Sequence, residues 1–122
     1  MVLRFSRIWF IIIALLGASG VALGAVAAHA VNNPIAITSL ERATTYHLMH
    51  TIALLALSGL TLRWIGLVRI LMLIGLIVFS GAIYAKYLMG IPSLGQYAPM
   101  GGTMLILSWL VLGISALLHR TN

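Results

Sequence analysis

Four long apolar runs, separated by short polar or turn-rich stretches, dominate the pattern along the chain. They cover about residues 8–30, 43–62, 66–88 and 100–118. Each run has roughly the 20 residues that a helix rising about 1.5 Å per residue needs to cross about 30 Å of hydrocarbon. The pattern predicts an all-α fold, an integral membrane four-helix antiparallel bundle, with residues 1–122 forming a single transmembrane domain.

The polar residues at the run ends suggest how the helices begin. Thr38-Ser39-Leu40-Glu41 matches a capping box at the start of the second helix, in which Thr38 bonds a backbone N–H and Glu41 reaches back. The alternative for Glu41 is a proton acceptor or metal ligand at the mouth of the bundle. Pro99 suits the first turn of the last helix. Gly101 and Gly102 then predict a tight turn with close packing, or alternatively backbone N–H groups open to an anion.

Small residues predict where the helices approach each other closely. The first run carries a stripe containing Gly20 and Gly24, and Gly81 leaves room for a neighbouring helix in the third run. Such residues matter in lipid, where helix association depends on close packing. Trp109 falls in the middle of the fourth run, so its indole N–H requires a partner on another helix.

Composition narrows the class of protein. Hydrophobic residues make up 62% of the chain and charged residues 7%, whereas soluble domains have about a quarter charged residues. The net charge of +6 comes from cations scattered between the runs rather than clustered, so we expect contact with the lipid bilayer and not with nucleic acid. The chain has no cysteine, which leaves no disulfide or thiolate site.

The distribution of basic residues predicts the orientation. Five arginines fall on one side of the predicted membrane and two basic residues on the other: Arg4, Arg7, Arg63, Arg69 and Arg120 against Arg42 and Lys86. The positive-inside rule then predicts a multi-pass protein of the cell inner membrane with both termini cytoplasmic. A cleaved signal peptide ending at Ala28-His29-Ala30 is the alternative, but its apolar stretch is longer than usual.

Candidate chemistry collects at the outer ends of the runs. His47 and His50 are neighbours on one helix face, and His29 can reach them from the first helix. The alternatives are a hydrogen-bonded polar cluster, a copper or zinc site on these three histidines, a haem, or a quinone or lipid headgroup. The cofactor therefore stays unknown. The candidate binding residues are His29, Tyr46, His47, His50, Ser80 and Tyr84.

No catalytic signature is present: the chain has no Ser–His–acid set, carboxylate pair, Walker loop or dinucleotide fingerprint. The sequence thus favours a protein that is not an enzyme.

The ordered motifs resemble a known family. Gly24-Ala25, Ala28-His29-Ala30, Tyr46-His47-x-x-His50, Phe79-Ser80-Gly81-x-x-Tyr84, Pro99-x-Gly101-Gly102 and Trp109 are similar to the domain of unknown function 423 family. Its members are small bacterial inner-membrane proteins related to eukaryotic transmembrane protein 256. One departure is Ala27-Ala28, where the family more often has Gly-Ala. The resemblance implies a four-helix membrane protein and little about activity.

Short connections and small-residue helix faces predict a structural or accessory subunit that associates with a larger membrane complex. A ligand or cofactor binder using the His/Tyr cluster, and a small transporter or channel, are the alternatives.

Overall fold

Four long α-helices make up the fold. The computed structural model describes residues 6–119, so Arg4 and Arg120, which entered the predicted orientation, lie outside the described residues. The helices are α1 (Ser6–His29), α2 (Pro34–Leu57), α3 (Ile65–Tyr87) and α4 (Ala98–Leu118), and a short 3-10 helix (Pro92–Tyr97) precedes α4. These elements confirm the all-α class.

Three of these segments are long and apolar enough to cross a membrane: Arg7–His29, Ile65–Tyr87 and Pro92–Leu118. They correspond to the first, third and fourth predicted runs. α2 is as long as α1, with 24 residues, but Glu41, Arg42 and the two histidines lower its hydropathy. Within residues 6–119, length and composition therefore identify three candidate spans rather than the four predicted.

The second helix begins earlier than predicted: five residues before the first helical position that a Thr38 cap implies, and nine before the apolar run at 43. α2 begins at Pro34, and the side chain of Asn33 caps it by accepting from the backbone N–H groups of Ile35 and Ala36 at 2.9 and 3.2 Å. An Asn cap followed by proline in the first turn is a strong start signal. The capping box is therefore wrong: the Thr38 hydroxyl donates to the carbonyl of Pro34 inside the helix, and Glu41 is exposed.

Helices that follow one another in the chain pack antiparallel. For α1 and α2, a Cβ built on each of three successive glycines of α1 lies within 4.0 Å of an α2 side chain, and the α2 partner has a lower residue number as the α1 number rises. Close backbone approach joins α1 to α2, α2 to α3 and α3 to α4; within residues 6–119 it does not join α1 to α4, as a closed four-helix ring requires. The α1–α2 pairs are Gly17 with Thr51, Gly20 with Leu48 and Gly24 with Thr44.

Buried positions recur every seven residues. This spacing keeps a seam on one face of helices that cross at a shallow angle, as in left-handed packing. Because position in the series, and not residue type, decides burial, the seam contains small, apolar and polar residues alike. The buried series are 13, 20 and 27 in α1; 36, 43, 50 and 57, with 40, 47 and 54, in α2; 68, 75 and 82 in α3; and 101, 108 and 115 in α4.

Two glycines bring α3 and α4 into backbone contact. A Cβ built on Gly101 would overlap the backbone of Phe79 and lie 2.8 Å from the carbonyl oxygen of Gly75, and one built on Gly75 would lie 3.1 Å from the carbonyl oxygen of Gly101. The predicted tight turn is wrong, because Gly101 and Gly102 lie inside α4. Gly81 leaves room, as predicted, but no neighbouring helix fills it: a Cβ built there would meet nothing within 4 Å.

Arg69 joins the end of α2 to α3 and α1. Its Nη2 donates to the carbonyl of Leu57, the last residue of α2, at 2.9 Å. Its guanidinium carbon lies 5.9 Å from the centre of the Trp9 ring. A cation at a helix C-terminus is favourable because the carbonyls there are unpaired and partly negative.

Candidate functional site

α2 places a row of polar side chains inside the protein. Thr44, His47, His50 and Thr51 are each at most 7% exposed, although the helices around them are apolar. Buried polar groups are costly in a low-dielectric interior unless they are hydrogen-bonded. The hydrogen-bond partners of these side chains therefore show which helices the row connects. The Thr51 hydroxyl stays within α2, donating to the carbonyl of His47 at 2.7 Å.

His47 connects three helices. Its Nδ1 lies 2.8 Å from the Tyr84 hydroxyl on α3, and its Nε2 lies 3.4 Å from the Ser19 hydroxyl on α1. Because Ser19 donates its own hydrogen to the carbonyl of Leu16 at 3.1 Å, the hydroxyl oxygen is left to accept from His47. His47 is thus the Nε2–H tautomer, and Tyr84 donates to its Nδ1.

His50 has the opposite tautomer. Its Nδ1 lies 2.8 Å from the carbonyl oxygen of Tyr46, which can only accept, so Nδ1 carries the hydrogen. The remaining nitrogen, Nε2, accepts from the indole N–H of Trp109 at 3.0 Å. Trp109 thereby has the partner on another helix that its position requires. Both ring nitrogens of His50 are used within the protein.

The single cluster expected from the sequence is divided in two. His47 and Tyr84 belong to the network that reaches α1, whereas His50 belongs to the one that reaches α4. Ser80 joins neither histidine: its hydroxyl donates to the carbonyl of Ala43 at 2.9 Å. Tyr46 is 40% exposed, and its ring stacks on that of Phe79, with centroids 5.1 Å apart.

His29 does not join the other histidines. It is exposed at the end of α1, whereas His47 contacts α1 at Ser19, ten residues away, or about 15 Å along the helix axis. Within residues 6–119, no three His, Asp or Glu side chains are placed to hold a metal ion together. The three-histidine metal site, one of the alternatives that the sequence left open, is therefore not assembled.

An apolar cleft lies between α1 and α3, with His47 of α2 at its inner wall. One cavity of about 180 Å³ reaches Ser80, Gly81 and Tyr84, and a second of about 540 Å³ extends it past Ser19. Both cavities are lined by Leu16 and Ile77, so we treat them as one feature, the α1–α3 cleft. The remaining lining residues are Leu23 and Leu76 of the first cavity and Ile12, Leu15 and Leu73 of the second.

Three residues important to this arrangement were not among the predicted site residues. The Ser19 hydroxyl accepts from His47, the backbone of Phe79 lies against Gly101, and the Arg69 guanidinium caps the C-terminus of α2. The seven-residue spacing of buried positions is a sequence signal that could have found Gly75 and Gly101 as facing positions. Nothing local marks Ser19, because a lone serine in an apolar helix also bonds its own backbone.

These features define a class: a small helical membrane protein whose polar residues lie on one central helix and join its neighbours. Comparison with known proteins gives the family. The chain belongs to the family described as "Protein of unknown function (DUF423)", whose model matches residues 23–102. The family resemblance noted in the sequence is thus confirmed.

The relatives are named as membrane proteins, and their names state no activity. A UPF0382 membrane protein of Staphylococcus saprophyticus is 35% identical over 117 residues, which cover 88% of this chain and 95% of that protein. Another, from Staphylococcus aureus, is 37% identical over 116 residues, 87% of this chain and 93% of that protein. One from Haemophilus influenzae is 35% identical over 107 residues, 83% of this chain and 86% of that protein. No solved structure matches the chain.

Proposed function

We propose that this protein is a non-enzymatic accessory subunit of the inner membrane that docks against another membrane protein through the outer face of α1. In this proposal all four helices cross the bilayer and both termini are cytoplasmic. The excess of basic residues at the α1 start and the α2–α3 connection supports this orientation, because basic residues favour the cytoplasmic side.

The observation that carries the proposal is the composition of the outer face of α1. Ala14, Ala18, Ala22 and Ala25 are exposed there, at spacings of three and four residues that bring them onto one side of the helix. The glycines of α1 are already used against α2. A second stripe of small residues permits close approach by another helix, which supplies much of the association energy in lipid.

The burial of α2 supports its crossing the membrane despite its low hydropathy. Its histidines bond Tyr84, Trp109 and a backbone carbonyl rather than meeting lipid. An intramembrane ionisable residue is tolerated when it faces the protein interior in this way.

A photoreactive amino acid at Ala18, in cells making the protein at its normal level, tests the docking face. We expect a crosslink to one defined protein, and a crosslink only to lipid from Leu110 of α4, which is 57% exposed. When this chain is purified from its native membrane in mild detergent, the crosslinked protein should copurify with the wild-type chain and not with the Ala18→Leu variant. Crosslinking of Ala18 only to lipid, with the chain purifying alone, would contradict the subunit role.

The histidines do not support a second candidate function. A metal or haem iron would have to displace Trp109 or the Tyr46 carbonyl from His50, or Tyr84 from His47. These bonds would then be lost in a poorly solvated interior, where unpaired polar groups are costly.

A further inference from the structure

We propose that the α1–α3 cleft holds one acyl chain of an anionic phospholipid, whose phosphate is bound by Arg69 at the cleft end next to Trp9. The proposal concerns the inner faces of α1 and α3 and is independent of docking through the outer face of α1. It rests on the length of the cleft, its chemistry and the unused donors of Arg69.

The length of the cleft matches one leaflet of a bilayer. α1 and α3 run parallel, with Trp9 beside Arg69 at one end and Leu23 beside Tyr84 at the other. The α1 residues that line the cleft run from Ile12 to Leu23, which is 11 residues or about 17 Å along the helix, and Trp9 and Arg69 lie about one turn beyond that end. From Trp9 to Leu23 is 14 residues, or about 21 Å. A leaflet with its headgroup region measures about half of 40–45 Å. A lipid lying along the cleft therefore has its headgroup near Arg69 and its chain end near Tyr84.

The walls of the cleft suit a hydrocarbon chain. Leucine and isoleucine side chains of α1 and α3 line most of it. At the inner end the polar groups are occupied, because Tyr84, His47 and Ser19 bond one another. An apolar cavity of this kind excludes water and accepts apolar groups. Gly81 provides the width, since a Cβ there would meet nothing within 4 Å.

Arg69 has the donors that a phosphate requires. A guanidinium carries five N–H groups in a planar fork, and one side of that of Arg69 is used on Leu57. Its buried Nε has no hydrogen-bond partner within the described residues. Trp9 lies over the guanidinium carbon at 5.9 Å, as expected for an aromatic ring at the headgroup level.

Charge favours an anionic headgroup over a zwitterionic one. Arg7, near the start of α1, and Arg63, in the α2–α3 connection, lie at the same end of the molecule as Arg69. The only acidic residue of the chain, Glu41, is in the first half of α2, toward the other end. A basic residue near a membrane surface is worth about a fivefold gain in affinity for an anionic surface. An equal affinity for phosphatidylcholine is therefore not expected.

Native mass spectrometry of the full chain, delipidated and titrated with phosphatidylglycerol or with phosphatidylcholine of the same chains, tests the proposal. We expect one phosphatidylglycerol bound at least about fivefold more tightly than phosphatidylcholine. This comparison uses only the wild-type protein, so it decides the headgroup question even if a variant folds poorly. Equal binding of the two lipids, or a count that rises without a first tight site, overturns the proposal.

Matched variants locate the site. Gly81→Leu fills the cleft and should abolish the tight site, whereas Gly113→Leu, at a second helical glycine with nothing within 4 Å of its Cβ, should not. Arg69→Gln should lower the affinity for phosphatidylglycerol to about that for phosphatidylcholine. Arg42→Gln, at an exposed arginine in the first half of α2 and so toward the other end of the helices, should leave the preference unchanged. Unchanged binding in both Gly81→Leu and Arg69→Gln overturns the proposal.

The two proposals fail separately. A second protein chain rather than lipid in the cleft, shown by a Gly81-sensitive crosslink from a photoreactive group at Leu73, overturns the lipid site and leaves the outer α1 face untouched. Absence of a protein crosslink from Ala18, by contrast, overturns the docking proposal and leaves the binding of phosphatidylglycerol to the purified chain unchanged.

Discussion

The indole N–H of Trp109 donates to Nε2 of His50 at 3.0 Å and so joins α4 to α2. The backbones of these two helices do not approach closely within residues 6–119, because α3 packs against both. The contact is therefore made by long side chains alone. It also fixes the protonation pattern of His50, since an indole can donate but not accept.

Loss of this bond should be measurable as a coupling energy. We expect Trp109→Phe and His50→Leu, combined in a double-mutant cycle, to show a coupling of about 0.6 kcal/mol, and at most about 1.7 kcal/mol, the average and the maximum found for hydrogen bonds between membrane helices. The measurement is unfolding in mixed micelles. Trp64→Phe with His50→Leu is the matched control, because Trp64 lies beside Arg63 in the α2–α3 connection. A coupling equal to that of the control would show that the bond is absent.

The two buried histidines should differ in tautomer. In protein labelled with ¹⁵N-histidine, the imidazole spectra should show His50 protonated at Nδ1 and His47 protonated at Nε2, because their carbonyl and hydroxyl partners require it. Tyr84→Phe removes the donor to Nδ1 of His47 and should shift only the His47 signals, while Tyr87→Phe leaves both residues unchanged. The same tautomer at both positions would be inconsistent with the two networks.

Adjacent glycines in α4 should respond differently to the same substitution. Gly101→Ala places a Cβ against the backbone of Phe79 and should lower the free energy of unfolding by about 1–3 kcal/mol or more, because a helix backbone cannot move aside as a side chain can. Gly102→Ala meets only the Phe79 ring, at 3.6 Å, and should be neutral or raise stability by up to about 1 kcal/mol through helix propensity. Thermal unfolding in detergent measures both, and equal effects would argue against the Gly75–Gly101 contact.

The absence of cysteine makes the topology directly testable. Single cysteines can be introduced at Asn32 in the α1–α2 connection, Thr61 in the α2–α3 connection and Ser93 in the 3-10 helix. With all four helices crossing, a membrane-impermeant maleimide added to intact cells (spheroplasts where there is an outer membrane) should label Asn32→Cys and Ser93→Cys, and Thr61→Cys only after permeabilisation.

A result with Asn32→Cys and Thr61→Cys on the same side, and Ser93→Cys on the other, would mean that α2 does not cross. Labelling of Thr61→Cys alone in intact cells would instead reverse the orientation. The cysteine-free parent protein is the background control in each case.

The helices were predictable because apolar runs of membrane length are a strong and local signal. The predicted runs near residues 8–30, 66–88 and 100–118 differ from α1, α3 and α4 by at most about two residues at each end. The start of α2 was not predicted, although an Asn33 cap followed by Pro34 in the first turn is a strong helix start. The first turns of α2 are only moderately apolar, so hydropathy did not mark them.

The candidate site was predictable in its members but not in its pairing. His47, His50, Tyr84 and Trp109 all have partners between helices, as ionisable and polar residues at membrane depth require. Which residues pair depends on helix order and rotation, and periodicity within a single helix does not contain that information. This is why His29, at the right end of its helix but ten residues from Ser19, was grouped with histidines that it does not reach.

The low hydropathy of α2 has a consequence for biogenesis. A helix that is too polar to be released into lipid by itself needs partners at the moment it leaves the translocon. Those of α2 come partly before it, at Ser19, and partly after it, at Tyr84 and Trp109. In the proposed topology, in which α2 crosses the bilayer, insertion of this chain is therefore not a sequence of independent helices: α2 waits beside α1 until the C-terminal half has been synthesised, and truncation before α4 should expose it to membrane quality-control proteases.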